Sequence, residues 1–184
     1  TLGGETVLAR HEKTFVSKPR FAVHVTPDMD VDAVLAEADK VDYDRIGERM
    51  HAEMVYVECN GDADAFVETV KKVTGKGKVL VLSCKNADAV KKALDVCKDE
   101  KPIINSADAS NYAEMVEIAK AAGVVLGVSG ADINELYDTT AAIEKLGFKD
   151  LVLDTTGATV KETFATTVQV RRACMAKDPD RTFG

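Results

Sequence analysis

The sequence predicts an α/β fold: an incomplete (β/α)8 TIM barrel of about six βα units with an amino-terminal hairpin extension. Three observations predict it. Short runs rich in Val, Ile and Leu recur along the chain, most of them apolar on both alternations, as strands covered on both faces require. A helical apolar pattern follows each run. From the second run onward the starts fall near residues 54, 78, 102, 124 and 150. That period fits one βα unit with almost no linker and implies parallel strands joined by right-handed crossovers. The regular spacing and the lack of a glycine-rich first turn favour a barrel over an open doubly wound sheet.

The elements follow in order. GGETVLARHEKTF, residues 3–15, belongs to none of the repeating units. Gly3 and Gly4 suit a turn with positive φ. Residues 6–8 and 14–16 read as two short strands, a hairpin plugging the amino-terminal end of the barrel. Arg10, His11, Glu12 and Lys13 form its polar connection, with His11 exposed and not catalytic, because that end of such barrels is the stability face. Residues 1–20 are therefore assigned to the extension and 21–184 to a partial barrel domain. The barrel strands are FAVHVT (21–26), MVYVEC (54–59), KVLVLSC (78–84), PIINSA (102–107), VVLGVS (124–129) and DLVLDT (150–155). Between the first two, YDRIGERMHAE reads as a helical segment closed by His51, whose imidazole suits a helix carboxyl terminus.

The helices are marked by their apolar faces. Ala63, Phe66, Val67, Val70 and Val73 share one face, and Val90, Leu94 and Cys97 the next. Met115, Val116 and Ala119 follow, then Ile133, Leu136, Thr140 and Ile143, and last Phe164, Val168 and Cys174. Asn60 or Asp62, Asn86 and Asp108 stand where amino-terminal caps belong.

Bulk properties exclude several function classes. With 46% apolar residues in 184 positions the chain is globular. Its 24 basic against 31 acidic residues give a net charge of −7. Nucleic acid and anionic membrane are thereby disfavoured as main partners, since both call for a basic face. No apolar run approaches the roughly 20 residues of a membrane span, and no signal core opens the sequence, so a cytoplasmic location is expected. Cys59, Cys84, Cys97 and Cys174 form no CxxC and no cluster with zinc or iron–sulfur spacing, so buried thiols are expected. Eight βα units take about 250 residues, so a chain ending after a sixth helix is expected to be part of a longer one.

Chemistry in parallel α/β folds collects at the strand carboxyl ends. The polar residues there are Thr26, Asp28, Glu58, Asn60, Ser83, Asn105, Ser106, Asp108, Ser129, Asp154, Thr155 and Thr156. Many are placed to cap the helices that follow. Asn105 and Asp154 differ, because they interrupt apolar strands and must point inward or sit at the rim. The barrel-mouth candidates are Glu58, Asn60, Asn105, Asp154 and Thr155. Paired donors and acceptors of this kind suit a pterin or another polar heterocycle. His24, inside the first strand run, reads as a satisfied buried group. TGKGK (74–78) precedes a strand and lacks the phosphate-loop pattern, so it is a turn. GVSGAD (127–132) is not a nucleophile elbow. HExxH, GxGxxG and the histidine-donating corrinoid motif DxHxxG are absent. Lys85 is the only lysine near a strand end, and it lies too far along to act as a Schiff base.

The opening segment resembles the stretch before the barrel in the large (gamma) subunit family of the corrinoid iron–sulfur protein. That protein serves the CO dehydrogenase/acetyl-CoA synthase, or acetyl-CoA decarbonylase/synthase, complex. The resemblance continues through IGERMHAEMVYVE (46–58), KPIINSADASNYAEM (101–115), DLVLDTTG (150–157) and QVRRACMAKDPDRTFG (169–184). It implies a three-part protein: a [4Fe–4S] domain, a central barrel and a corrinoid-binding domain. Only the barrel matches here, so neither cobalt corrinoid nor cluster is expected on this chain alone, and no complete active site. The implied partners are the small subunit, a methyltransferase and acetyl-CoA synthase. The implied function is carriage of a methyl group from a methyl-tetrahydropterin or methyltetrahydrofolate to acetyl-CoA synthase. A stand-alone pterin-binding methyltransferase barrel is the alternative.

Overall fold

The structure, a computed structural model, describes residues 5–9, 12–15 and 20–175. The short hairpin comes first, β1 (Glu5–Ala9) pairing antiparallel with β2 (Glu12–Phe15). The segment expected to be a hairpin is one. Arg10 and His11 lie outside the described residues.

The barrel strands are β3 (Ala22–Val25), β6 (Met54–Glu58), β7 (Val79–Ser83), β8 (Ile103–Ala107), β9 (Val125–Val128) and β10 (Leu151–Leu153). They form one six-stranded sheet in the spatial order β3-β6-β7-β8-β9-β10, every pair parallel. Spatial order equals chain order. A doubly wound sheet reverses direction at a switch point, whereas this one never does, which is the signature of barrel winding. Strands β3 and β10 form the two edges. The helices are α1 (Val31–Asp39), α2 (Ala63–Val73), α3 (Ala87–Cys97), α4 (Tyr112–Ala122), α5 (Ile133–Lys145) and α6 (Val160–Met175).

Side-chain alternation divides the sheet. Val25, Val55, Val57, Leu80, Leu82, Ile104, Leu126 and Val128 face the helices and join one core with Phe66, Val70, Val90, Met115 and Ile143. Each such side chain contributes roughly 1.5–3 kcal/mol by leaving water. A smaller apolar group, Met54, Val81 and Ile103 with Tyr56 and Val125, occupies the opposite face. Of the expected thiols, Cys84 and Cys97 are buried, Cys59 is half-buried, and the side chain of Cys174 lies outside the described residues.

Caps fix where the helices begin. Asp62 and Asn86 cap α2 and α3 as expected, each accepting two backbone N–H groups. Asp132 does the same for α5, and Asp30 caps α1 by accepting the Ala33 N–H. Asp108 does not cap α4. Asn111 occupies the cap position, and its side-chain oxygen accepts the Asp108 N–H at 2.8 Å.

Two sequence readings are corrected. YDRIGERMHAE is not helical: β4 (Tyr43–Arg45) and β5 (Glu48–Met50) form a second antiparallel hairpin. Its two-residue turn, Ile46 and Gly47, has φ of 55° and 78°, the geometry that matches strand twist in a tight hairpin. Asp44 accepts the Gly47 N–H at 3.0 Å and secures the turn, which overrides the helix preference of the flanking Glu, Arg and Met. His51 therefore follows a strand and does not close a helix. The second correction is the face of α6. Phe164 is 71% exposed, Val168 is half-buried, and Val170 is the buried apolar residue among the described side chains of the helix. Helix α6 packs chiefly on α5 alone, so it buries a narrower stripe than a helix with two neighbours.

Candidate binding site at the strand carboxyl ends

The sheet face away from the helices turns polar toward the strand carboxyl ends. Asn105 lies on that face because Ile104, its neighbour in β8, points to the helices. Leu151 and Leu153 pack toward the helix-side core, which leaves Asp154 on the same face as Asn105. The two meet: Asn105 Nδ2 donates to Asp154 Oδ2 at 2.9 Å. Between them runs β9, whose Gly127 is in register with Asn105. A Cβ at Gly127 would lie 2.1 Å from Asn105 Oδ1 and 2.9 Å from its Cα. The glycine is what lets a β8 side chain cross β9 to β10.

The same amide reaches the other way, donating to the Tyr56 hydroxyl at 3.3 Å. Tyr56 in turn packs against the His24 ring at a centroid distance of 5.8 Å. His24 Nε2 stands 2.7 Å from Glu58 Oε2. His24, Tyr56, Glu58, Asn105 and Asp154 thus make one continuous polar wall from β3 to β10. His24 is satisfied as expected, but it is exposed, not buried, because even-numbered β3 positions face away from the helix core.

Electrostatics keep the far end of the wall anionic. Burial alone would raise the Asp154 pKa. Hydrogen bonds from Thr156 and from the Asn105 amide outweigh it and hold the carboxyl below its usual range. Thr156 N–H donates to Asp154 Oδ1 at 2.9 Å. Asp154 thus presents one oxygen to its own turn and the other to Asn105.

The remaining candidates do structural work nearby. Asn60 donates to Asp28 at 2.8 Å and links the loops after β3 and β6. The Thr155 hydroxyl contacts that of Thr167 on α6 at 2.8 Å. Lys85 is ion-paired with Asp108 at 2.7 Å. The side chain of Ser106 lies outside the described residues. Tyr56 and Gly127 are the members that sequence reading missed. Both sit in strand runs and gain meaning only from register.

The wall offers a carboxylate, an amide and a phenol linked through the amide, plus an imidazole–carboxylate pair. This set can read a flat polar heterocycle by paired donors and acceptors. Among the described residues no group of three or more His, Cys, Asp or Glu is arranged to hold a metal ion. Below the wall, at the strand amino ends, lies a cavity of about 670 Å³, walled by Met54, Ile103, Val125 and Val152 and rimmed by Arg20, Glu53, Lys101, Lys149 and Asp150. The hairpin plug was expected at that end. The principal described contact of the hairpin is between its own two strands.

Known proteins bear on this geometry. The family model described as CO dehydrogenase/acetyl-CoA synthase delta subunit matches residues 1–184. The acetyl-CoA decarbonylase/synthase complex subunit gamma of Archaeoglobus fulgidus is 32% identical over 99% of the chain. The corrinoid/iron-sulfur protein large subunit of Moorella thermoacetica is 30% identical over 100% of it. The chain spans 41% and 42% of the lengths of these two relatives. Among solved structures, dihydropteroate synthase from Thermus thermophilus, crystallised with 4-aminobenzoate, superposes with a TM-score of 0.55. It shares 14% identity, and the match covers 83% of this chain and 63% of that one. That likeness concerns the fold alone.

Proposed function

The chain belongs to the CO dehydrogenase/acetyl-CoA synthase delta subunit family, and from that premise we propose that it is the scaffold barrel of a corrinoid iron–sulfur methyl carrier. The carrier takes a methyl group from a methyl-tetrahydropterin or methyltetrahydrofolate, through a methyltransferase, and passes it to acetyl-CoA synthase. The observation that carries this reading is the whole-chain match to relatives named as corrinoid/iron-sulfur large and gamma subunits. Cobalt would supply the methyl-transfer chemistry, and this barrel would hold its carrier domain and dock the small subunit.

The side chains do not fit an iron–sulfur cluster. Cys59 and Cys84 lie at the strand carboxyl ends, whereas Cys97 ends α3, which runs back toward the amino ends. The cluster is therefore assigned to another domain of the full-length protein, and the resemblance to the family assigns the corrinoid to a further one.

An absorbance spectrum of the purified 184-residue chain tests the reading. No corrinoid or iron–sulfur band is expected. A chromophore retained on these residues overturns the assignment of cofactors to other domains.

One observation favours a second reading. The Asp154–Asn105–Tyr56 arrangement suits direct recognition of a pterin, as a stand-alone methyltransferase barrel requires. Titration with methyltetrahydrofolate separates the two. Micromolar binding that disappears in both Asn105→Ala and Asp154→Ala supports the second; absence of binding supports the scaffold.

A further inference from the structure

We propose that Cys59 and Cys84 form a dithiol–disulfide exchange site for low-molecular-weight disulfides, on the helix side of the barrel mouth. Strands β6 and β7 are adjacent and parallel, with Glu58 opposite Ser83 as the last pair of the ladder. Cys59 and Cys84 each stand one residue further on, so they are level with one another. The Cys59 N–H donates to the Ser83 carbonyl at 2.9 Å and continues the register to this point.

Both side chains project to the same face. Val55 and Val57 share the alternation of Cys59, and Leu80 and Leu82 that of Cys84; all belong to or pack on the helix-side core. Adjacent strands lie about 4.7–4.9 Å apart, inside the Cα separation a disulfide spans. Each thiol is anchored to its own turn: Cys59 Sγ approaches the Asp62 carbonyl and Cys84 Sγ the Asn86 carbonyl, both at 3.9 Å. The pair lines a cavity of about 390 Å³ with Gly61, Ala63 and Ser83, which gives a small molecule room to approach.

The two sulfurs differ in access and so in role. Cys59 is half-buried and Cys84 is 5% exposed. Burial, reinforced by the neighbouring Cys59 thiol, pushes Cys84 up to about 11. Cys59 therefore attacks first. As its thiolate, having given its proton to solvent, it attacks one sulfur of a disulfide RSSR. The S–S bond breaks, RS⁻ leaves and takes up a proton, and Cys59 carries a mixed disulfide. The Cys84 sulfur then attacks Cys59 Sγ, and its proton passes to the departing RS group. The Cys59–SR bond breaks and the second RSH leaves. Two cysteine thiols lose two electrons and two protons, and RSSR becomes two RSH.

Peptide mapping of the full-length protein tests this. Samples are treated with oxidised glutathione and alkylated before digestion. The expected product links the peptides holding residues 59 and 84, reverts with reductant and raises the melting temperature, since it closes the loop through α2. In Cys84→Ala, glutathione accumulates on Cys59 at least roughly tenfold over wild type, because nothing resolves it. In Cys59→Ala, Cys84 stays unmodified at the same glutathione concentration. Circular dichroism confirms that both variants are folded. If one does not fold, the wild-type crosslink map decides alone. A stable glutathione adduct on wild-type Cys59, with Cys84 still alkylatable, overturns the proposal. So does modification of Cys84 in Cys59→Ala at the wild-type rate of Cys59.

Discussion

Asn105 holds Asp154 by a 2.9 Å hydrogen bond that passes over Gly127, so a residue of β8 and one just past β10 touch across the one position of β9 that has no side chain. Truncating the amide leaves the partly buried carboxylate short of one donor. Asn105→Ala is expected to cost about 1–3 kcal/mol at pH 7. The Asp154 pKa is lowered in the folded state, so its stabilisation is complete above the unfolded value of 3.8 and is lost as pH falls through the folded one. Without Asn105 the folded value rises toward 3.8, and acid destabilisation associated with Asp154 shrinks. Urea unfolding of wild type and variant from pH 7 down through the carboxylate range measures both effects. An unfolding free energy that is unchanged at pH 7 removes the bond from the energetics of the site.

Gly127→Ala asks for space that Asn105 already occupies. The new Cβ would lie 2.1 Å from the amide oxygen, which can rotate, and 2.9 Å from the Asn105 Cα, which cannot. A cost of about 1–3 kcal/mol is expected. Gly127→Ala with Asn105→Ala recovers part of it, since the backbone approach remains. A double-mutant cycle reads the coupling, and strictly additive costs would show that the glycine serves only β9.

Tyr56→Phe provides the internal control. Its hydroxyl accepts from Asn105 at 3.3 Å, a long bond, and the ring packing on His24 survives the change. A loss below about 1 kcal/mol is expected, smaller than that of Asn105→Ala. A larger loss from Tyr56→Phe would place the centre of the network at the phenol.

How much of this was legible in the sequence depended on range. The strand runs and most helix faces declared themselves through local periodicity, which is why Phe66, Val70, Leu94 and Ile143 were placed in the core correctly. Asn105 and Asp154 were visible because a polar residue inside an apolar strand needs a reason. Tyr56 and Gly127 were invisible: an aromatic and a glycine in strands are ordinary until register sets them beside Asn105. Phe164 was misread because its helical spacing is sound but the surface it would pack on is supplied by neighbours, not by α6 itself. The β4–β5 hairpin was misread because Glu48, Arg49 and Met50 favour a helix locally, while cross-strand pairing with Tyr43–Arg45 decides the outcome.

Asp108 gives a pH prediction. Burial pushes its carboxyl up, but Lys85 and the hydroxyl and N–H of Ser110 pull it down to about 2. The folded value lies below the unfolded 3.8, so the stabilisation is complete above that value and is lost as pH falls toward 2. The full shift corresponds to about 2 kcal/mol, and screening of Lys85, 77% exposed, reduces it to about 1. Asp108→Asn should therefore cost about 1 kcal/mol near neutral pH and much less as pH approaches 2, with the difference shrinking in high salt. An equal cost at both extremes would show that charge is not what holds the turn.

Ile46 offers a gain. It occupies the left-handed region at φ 55° while 94% exposed, so a β-branched side chain bears the strain of the turn with almost no burial in return. Asn tolerates that conformation, and Asn-Gly is the preferred pair for a two-residue hairpin turn. Ile46→Asn is expected to stabilise the β4–β5 hairpin by about 0.5–1 kcal/mol. Amide exchange at Arg45 and Glu48 should slow by a corresponding few-fold, while strands β6 to β9 stay unaffected. Faster exchange at those two amides would mean that Ile46 is held by a contact worth more than its backbone strain.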